Sequence, residues 1–467
     1  MQIFTSQIIN SLEKALKNKA LTLGIVGLSV VLYLVLGYTT KRSDFYLFFG
    51  IYMVLFIAAL WLAKNNAEFS FKTLLFFALI LRLSLLLAMP ELSNDFYRFI
   101  WDGELITNGV NPYAHLPNDL ISFPDYYDDI KMRLLYHGMG ELSQAHYSCY
   151  PPLNQLFFTV PALLTDSIYH QVIILKLILI LADLGAIVVG RKILQHLQMD
   201  ANKIWLYGLN PFIILEFSGN LHFEGVMIFF ILLSFYFLLS NQWLVSAFLL
   251  GCAIQIKLIP ILILPFLFKK LRWKKSIGYL AMTALTVLAI GQLFLTPQFL
   301  DNMMLSINEY FVSFEFNASL YYVAREIGFI FKGYNAIDFI GPLLSLLVFI
   351  SILTLAIIKT YKVNQDIFVG ILFAFLLYYA MATTVHPWYV ALILIFSIFT
   401  PYRFGLIWSF LVMLSYSAYQ FPEFAENKLF LITEYLVLFG VVFYEIRKYW
   451  RKDLIQLNVK EFFTNQD

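Results

Sequence analysis

One acidic and aromatic segment carries side chains suited to proton transfer. The segment SNDFYRFIWDGELITNGVNPYAH follows a long apolar run and places Asp95, Arg98 and Asp102 among aromatic residues. Spacings of three and seven residues put all three side chains on one face of a helix. A carboxylate fixed beside a cation at a membrane surface could act as a general base for an attacking hydroxyl group. A capped, salt-bridged helix without a catalytic role fits the same spacing, so both interpretations stay open here.

Basic side chains elsewhere in the chain could bind an anionic group. An arginine offers two parallel donors to an anion, whereas a lysine or histidine offers a single charged contact. The candidates besides Arg98 are His222, Lys257, Arg325 and His386. Each also has a structural explanation: a solvated loop for His222, extension to the nearest membrane surface for Lys257, a solvated helix for Arg325 and a helix-breaking turn around His386.

The elements that position these residues must lie in a membrane. Of the 467 residues, 60% are hydrophobic and 13% are charged, against roughly 45–50% and about 25% in an ordinary soluble domain. The formal net charge of +2 provides no excess to hold nucleic acid. The composition therefore excludes a nucleic-acid-binding protein, a disordered chain and a secreted disulfide scaffold. Cys149 and Cys252 are expected to be structural.

Apolar runs predict an all-α integral membrane fold, a polytopic bundle of about 12 transmembrane helices. A hydrocarbon core about 30 Å thick requires roughly 20 apolar residues in each helix. The runs lie at about 20–38, 45–63, 73–89, 169–190, 202–218, 222–240, 276–296, 340–358, 366–385, 388–400, 404–420 and 428–445. Lys176 and Asp183, seven residues apart in the fourth run, are expected to neutralise each other inside the bundle.

Basic clusters set the predicted orientation. KKLRWKK at 269–275 and RKYWRK at 447–452 can both be cytoplasmic, as the positive-inside rule requires. A single crossing at 243–268 would place the first cluster outside. This run is interrupted by Lys257 and Pro260, so it is predicted to be a re-entrant hairpin of two short helices.

Two long loops are left on the outer face, at about 90–168 and 297–339. In the first loop, residues 94–107 and 150–164 have the amphipathic pattern typical of helices that lie in the membrane interface. The Lys41-Arg42 pair also falls on the outer face, against the positive-inside rule.

Six short motifs follow one another in an informative order. They are NDFYRFIWDG at 94–103, GVNPY at 109–113, YPPLNQ at 150–155, NLHFEG at 220–225, IKLIP at 256–260 and HPWY at 386–389. This order resembles the C superfamily of polytopic glycosyltransferases, in particular its bacterial mannosyltransferase-like members. The resemblance covers most of the chain from about residue 73 onward, and the first motif cluster is its most specific part.

The resemblance implies roles for several residues. Asp95 matches the position of the superfamily's catalytic base at the start of the first large outer loop, and Asp102 is a second candidate. His222 and Glu224 resemble a His-x-acidic signature near the donor. Tyr150 is a candidate sugar contact.

The resemblance also implies a division of the chain. Residues 1–70, a cytoplasmic segment and two transmembrane helices, look like an addition to a glycosyltransferase C-like membrane domain at 71–467. The location that it implies is a bacterial inner membrane, with the active site on the non-cytoplasmic face.

The expected function is transfer of a hexose, with mannose the expected sugar, from a polyprenyl-phosphate donor to a lipid-linked or glycan acceptor. The displacement would be inverting, and Arg98, Lys257 or His222 would stabilise the leaving phosphate, with Arg325 and His386 as further candidates. Membrane lipids are expected partners and nucleic acid is not. No compact set of metal ligands is visible, although a divalent metal stays possible. A transporter or lipid flippase is the alternative, but the sequence lacks the related halves usual in transporters.

Overall fold

In the computed structural model, the regular elements of the described residues are helices, so the predicted all-α fold class is confirmed. The structure describes residues 2–312, 314–358, 363–421 and 423–464, with side chains at 18–308, 314–358, 363–421 and 423–449. Long apolar stretches form helices because each backbone N–H and C=O group is then bonded within its own segment.

The helices follow one another in four groups. The first is α1 (Gln2–Tyr38), α2 (Phe45–Lys64) and α3 (Phe71–Leu83). The second is α4 (Asp95–Thr107), α5 (Pro117–Leu120), α6 (Pro124–Tyr127), α7 (Ile130–Gln144) and α8 (Pro152–Leu164). The third is α9 (Ile168–His196), α10 (Trp205–Gly208), α11 (Pro211–Ile213), α12 (Glu224–Leu239), α13 (Trp243–Ile254) and α14 (Leu264–Leu271). The fourth is α15 (Trp273–Gly291), α16 (Phe299–Val312), α17 (Leu320–Lys332), α18 (Ile337–Ile358), α19 (Gln365–Met381), α20 (Val390–Ile398), α21 (Phe404–Leu411) and α22 (Lys428–Thr464).

Within the described residues, six helices are long and apolar enough to cross a bilayer alone. They are Asn18–Tyr38, Phe45–Lys64, Ile168–His196, Trp273–Phe294, Ile337–Ile358 and Lys428–Tyr449. The other predicted spans correspond to shorter or broken helices. In the run 73–89, for example, α3 ends at Leu83 and the chain turns before Pro90. The count of twelve stays a prediction.

One bent pair of helices shapes the centre of the molecule. The segment Pro211–Gly219 and α12 are bent by 115° relative to each other, at residues 220–223. Leu221 lies in this bend with φ of 66°, a left-handed conformation that is strained for a leucine. Such strain costs about 1–3 kcal/mol and persists where the surrounding structure enforces it. The bend sets the positions of His222 and Glu224.

The segment predicted as a re-entrant hairpin consists of short helices separated by a break. Helix α13 ends at Ile254, a 3-10 helix covers Ile259–Ile263, and α14 follows directly. Lys257 lies in the break between them. The predicted break in the apolar run 243–268 is therefore present. That this segment re-enters the membrane as a hairpin stays a prediction.

Helix α4 differs from the surface helix that its amphipathic pattern predicts. It is buried along most of its length and packs against α7 and α8. The close approach of α4 to α8 depends on Gly103. A Cβ atom at this position would lie 2.2 Å from the backbone carbonyl oxygen of Phe158.

The expected pairing of Lys176 with Asp183 is wrong. Asp183 pairs with Arg82 of α3, whose Nη2 lies 2.7 Å from the carboxylate in a fully buried contact. The Lys176 ammonium instead donates to the backbone carbonyl oxygens of Leu85 and Ala88, at 2.8 and 2.6 Å. These carbonyls lie in the turn beyond the end of α3, where the Leu85 oxygen also accepts a hydrogen bond from the backbone N–H of Ala88 at 3.3 Å, and the buried lysine adds a donor to both.

Candidate active site

A cavity of about 390 Å³ lies where the start of α4 meets the bend before α12 and the break after α13. This volume is in the range of ligand pockets. It is lined by predicted site residues that are far apart in the chain: Asp95, Tyr150, Glu224, Lys257 and His386. The structure therefore brings these five together at one place.

Asp95 is the first residue of α4 and is partly exposed to the cavity. Its backbone N–H donates to the hydroxyl of Ser93 at 3.3 Å. In the described part of the chain, no side chain forms a hydrogen bond or ion pair with the Asp95 carboxylate. The free backbone N–H groups of the first helical turn favour a negative charge at this position. The carboxylate is thus accessible from the cavity and available to a substrate.

Lys257 faces the same cavity and is paired with Glu224. Its Nζ atom lies 2.9 Å from Oε1 of Glu224 and 5.6 Å from the ring centroid of Tyr150. The lysine side chain is 24% exposed, so it keeps contact with the cavity. The other carboxylate oxygen of Glu224 is buried and has no hydrogen-bond partner among the described residues. Glu224 therefore fixes the position of the cation.

Three stacked rings form part of the cavity wall. The Trp388 ring lies between two histidines, with its centroid 3.6 Å from that of His222 and 4.5 Å from that of His386. The interplanar angle between His386 and Trp388 is only 5°. His386 and Trp388 line the cavity, whereas His222 lies behind them.

The two histidines have different surroundings. Nδ1 of His222 lies 2.9 Å from Oε2 of Glu216, and both side chains are buried. Burial lowers the pKa of His386 to about 3, and the nearby positive charges of Lys257 and Arg42 act in the same direction. His386 is therefore neutral near pH 7 and contributes a polar ring rather than a charge.

Arg98 and Asp102 are brought together by the structure, but outside the cavity lining. Nε of Arg98 lies 2.7 Å from Oδ1 of Asp102, and both are buried. The other oxygen of Asp102 accepts hydrogen bonds from Ser148 at 2.6 Å and from Gln155 at 2.8 Å. Arg98 also donates to the backbone carbonyl oxygens of Ser143, in the last turn of α7, and of His146, just after it. The pair connects α4 to the 143–155 segment, and its predicted catalytic and donor-binding roles stay untested.

Arg325 is also placed away from the cavity lining. It pairs with Glu315, and its Nη2 lies 3.0 Å from Oε1 of Glu326. Its guanidinium carbon lies 4.4 Å from the ring centroid of Tyr322. These contacts support the solvated-helix explanation for Arg325.

Tyr150 and Cys149 form another side of the cavity. The Tyr150 ring packs edge-on against Phe99 and Phe158, with centroids 5.0 and 5.5 Å apart. Burial raises the pKa of the Cys149 thiol, although the charges of Lys257 and Arg98 oppose the shift. The thiol is therefore neutral near pH 7, as expected of a structural cysteine.

The structure adds lining residues that the sequence analysis did not select. Arg42, Trp388 and Tyr419 face the cavity, from the α1–α2 loop, the HPWY motif and a 3-10 helix at Val412–Tyr419. One signal could have identified Arg42, since Lys41 and Arg42 violate the positive-inside rule. Charge retained against that rule often has a function.

A family comparison identifies the protein. A family model described as alpha-(1->6)-mannopyranosyltransferase, N-terminal domain, matches residues 18–271, which is more than half of the chain. The chain belongs to this family. It is a mannosyltransferase-type membrane glycosyltransferase with a sugar donor and a glycan acceptor, and its apolar helices make it a multi-pass membrane protein.

The match begins at residue 18, so it includes the two helices that the sequence analysis treats as an addition. The boundary at residue 70 stays a prediction. No curated protein and no solved structure matches the chain.

No group of three or more His, Cys, Asp or Glu side chains is placed to hold a metal in the described part of the chain.

Proposed function

We propose that the protein transfers mannose from a polyprenyl-phosphate donor to a hydroxyl of a lipid-linked or glycan acceptor. The reaction takes place on the non-cytoplasmic face of a bacterial inner membrane. The observation that carries this proposal is the Asp95 carboxylate, which has no side-chain partner among the described residues and shares a cavity with Lys257. A base and a cation in one cavity meet the needs of glycosyl transfer from a phosphodiester.

In the proposed reaction, Asp95 accepts the proton of the acceptor's hydroxyl group. At the same time, the oxygen of that hydroxyl group bonds to the anomeric carbon of the sugar. The bond from that carbon to the phosphate oxygen breaks on the opposite face, so the configuration inverts. The phosphate keeps the electron pair, and the Lys257 ammonium stabilises its charge. The group that leaves is polyprenyl phosphate, which is much less basic than the alkoxide that leaves in glycosidase reactions, so it needs no protonating acid.

Other residues in or next to the cavity lining support this reaction by packing against the sugar or by positioning the side chains that do so. We propose that the rings of Tyr150 and Trp388 pack against the sugar, because both face the cavity and are held by neighbouring rings. Glu224 holds Lys257 in place through an ion pair, and the His222 ring stacks against the ring of Trp388. These last two act as positioning residues.

A second, smaller cavity supports a lipid-linked donor. It has a volume of about 120 Å³ and lies beside α18 and α19. Tyr378, Ala382 and Thr383 line both cavities, so the two adjoin each other. The smaller cavity is also lined by Val348 and Phe349, and Phe349 is 56% exposed on the outside of the bundle. An apolar extension that reaches this surface fits a polyprenyl chain better than a nucleotide.

For the whole chain, we propose a bundle of about 12 crossings with a re-entrant hairpin at 243–268. The shorter and broken helices would complete the crossings, since irregular backbone is tolerated at membrane depth when it lines a cavity. This topology keeps the 269–275 cluster in the cytoplasm and the cavity on the opposite face.

A reconstituted assay with labelled donors tests the proposal. Purified protein in liposomes should transfer mannose from polyprenyl-phosphate mannose to a mannoside acceptor, and it should use no GDP-mannose. Transfer from GDP-mannose alone would contradict the carrier requirement. Movement of the labelled lipid across the bilayer without transfer would instead favour the flippase alternative.

The same assay tests the base. Asp95→Asn keeps the size of the side chain but removes its basicity, so transfer should fall by about two orders of magnitude or more. The matched control is Asp119→Asn, which removes an exposed carboxylate from the same outer loop and should leave the rate unchanged. A near-normal rate in Asp95→Asn would refute the assignment of the base.

A further inference from the structure

We infer that Arg42, in the loop between α1 and α2, binds the phosphate of the donor. This inference rests on the proposed function and adds a residue to its site. Arg42 lines the same cavity as Asp95 and Lys257, although it precedes both by a long stretch of chain. It lies outside the six motifs noted in the sequence.

The charge of Arg42 is not balanced by a carboxylate. Arg82, Arg98 and Arg325 each form an ion pair within the protein. For Arg42, no carboxylate of the described residues lies within ion-pair distance. Its Nε atom is buried and has no hydrogen-bond partner among those residues. A buried donor of this kind is costly unless a ligand satisfies it.

An aromatic ring holds the Arg42 side chain in place. Its guanidinium carbon lies 3.3 Å from the ring centroid of Tyr419, which also lines the cavity. Stacking on a ring orients the guanidinium plane without neutralising its charge. A guanidinium oriented in this way can offer two parallel N–H donors to a phosphate.

The charges around the cavity explain why a second cation is needed. Glu224 already balances Lys257, and Asp95 adds a negative charge that repels a phosphate. His386 is neutral near pH 7 because burial lowers its pKa to about 3. Of the cations in the lining, Arg42 therefore has the charge least committed to the protein itself, and a phosphodiester monoanion would balance it.

Steady-state kinetics of Arg42→Gln test the inference. The donor KM should rise about ten- to one-hundred-fold, the effect of losing a charge-assisted hydrogen bond, while the acceptor KM stays unchanged. Polyprenyl phosphate without a sugar should inhibit the wild type and should lose potency by the same factor. Arg42→Lys keeps the charge but not the paired donors, so its donor KM should be intermediate.

Lys41→Gln is the matched control, because it removes a neighbouring exposed charge that does not line the cavity. It should behave as the wild type. An unchanged donor KM and unchanged inhibition in Arg42→Gln would overturn the inference. A rise confined to the acceptor KM would also overturn it, since the phosphate bound would then belong to a lipid-linked acceptor.

A direct binding measurement keeps this inference separate from the proposed function. If the wild type fails to transfer from polyprenyl-phosphate mannose, the proposed function is refuted. Fluorescence titration of the solubilised protein with polyprenyl phosphate then decides the role of Arg42. Weaker binding by Arg42→Gln than by Lys41→Gln would support the inference, and equal binding would overturn it. Should Arg42→Gln fail to fold, Arg42→Lys gives the same comparison.

Discussion

At the scale of single residues, two carboxylates of one helix have opposite surroundings. Asp95 begins α4 beside an open cavity, whereas Asp102, two turns later, is fully buried. Asp102 is held by Arg98, Ser148 and Gln155. A general base must be reachable by its substrate, whereas a buried and fully bonded carboxylate stabilises the fold. These environments favour our proposal that Asp95 is the base and that Asp102 stabilises the fold.

Stability measurements separate these two roles. Asp102→Asn should lower the free energy of unfolding by about 3–5 kcal/mol, because it leaves the Arg98 guanidinium buried without its counter-charge. Asp95→Asn should melt close to the wild type, since its carboxylate makes no side-chain contact among the described residues. Thermal melting of the solubilised variants checks both. An Asp102→Asn variant with normal melting but no transfer would make Asp102 the base instead.

At the scale of elements, the cavity depends on how closely α4 approaches α8. Gly103 permits this approach, because only a hydrogen atom faces the Phe158 backbone carbonyl. A backbone carbonyl inside a helix cannot rotate away as a side chain can. The position of Asp95 at one end of α4 is therefore linked to the packing near the middle of the helix.

Gly103→Ala should separate the two helices. The added methyl group should lower stability by about 1–3 kcal/mol, the usual cost of overpacking, and should reduce transfer as well. Gly50→Ala in α2 is the control, since a Cβ there meets no atom within 4 Å and alanine favours a helix. Melting curves and the mannosyl transfer rate of both variants provide the measurement. Equal behaviour of the two variants would contradict the packing argument.

The sequence patterns predicted helices better than they predicted which side chains contact each other. Five of the six motifs supply lining residues of one cavity, including Asp95, Lys257 and His386, whereas GVNPY at 109–113 supplies none. Spacing could not identify partners between helices. Lys176 and Asp183 share a helical face, yet Asp183 binds Arg82 of a different helix. Helical periodicity describes one element at a time, so contacts such as this one need the packed structure.

At the scale of the whole molecule, the cavity requires that the α1–α2 loop and the long loop after α3 lie on one side of the membrane. Arg42 and Asp95 both line it. The basic 269–275 cluster belongs on the opposite side if the positive-inside rule decides the topology. The orientation of the chain in the membrane can therefore be tested by labelling three positions.

Cysteine labelling in intact cells tests this topology. In a background with Cys149 and Cys252 replaced, an impermeant thiol reagent should label Asp119→Cys and Leu320→Cys but not Arg272→Cys. All three native side chains are exposed in the structure, so access depends on the side of the membrane. Labelling of Arg272→Cys in sealed cells would overturn the proposed hairpin at 243–268 and invert the loop assignments downstream of it.

Two late parts of the chain have a consequence for biosynthesis: Trp388, which stacks with His222 and His386, and Tyr419, which packs against Arg42. Chains are made and inserted from the N-terminus, so Arg42, Asp95 and Lys257 enter the membrane before Trp388 and Tyr419 exist. The part of the chain that matches the family ends at residue 271 and holds the proposed base, Asp95, together with Arg42 and Lys257. The rings that complete the wall come afterwards. If transfer takes place in this cavity as proposed, a nascent chain carries these three side chains before the cavity can enclose a substrate, and transfer begins only after the final helices are in place.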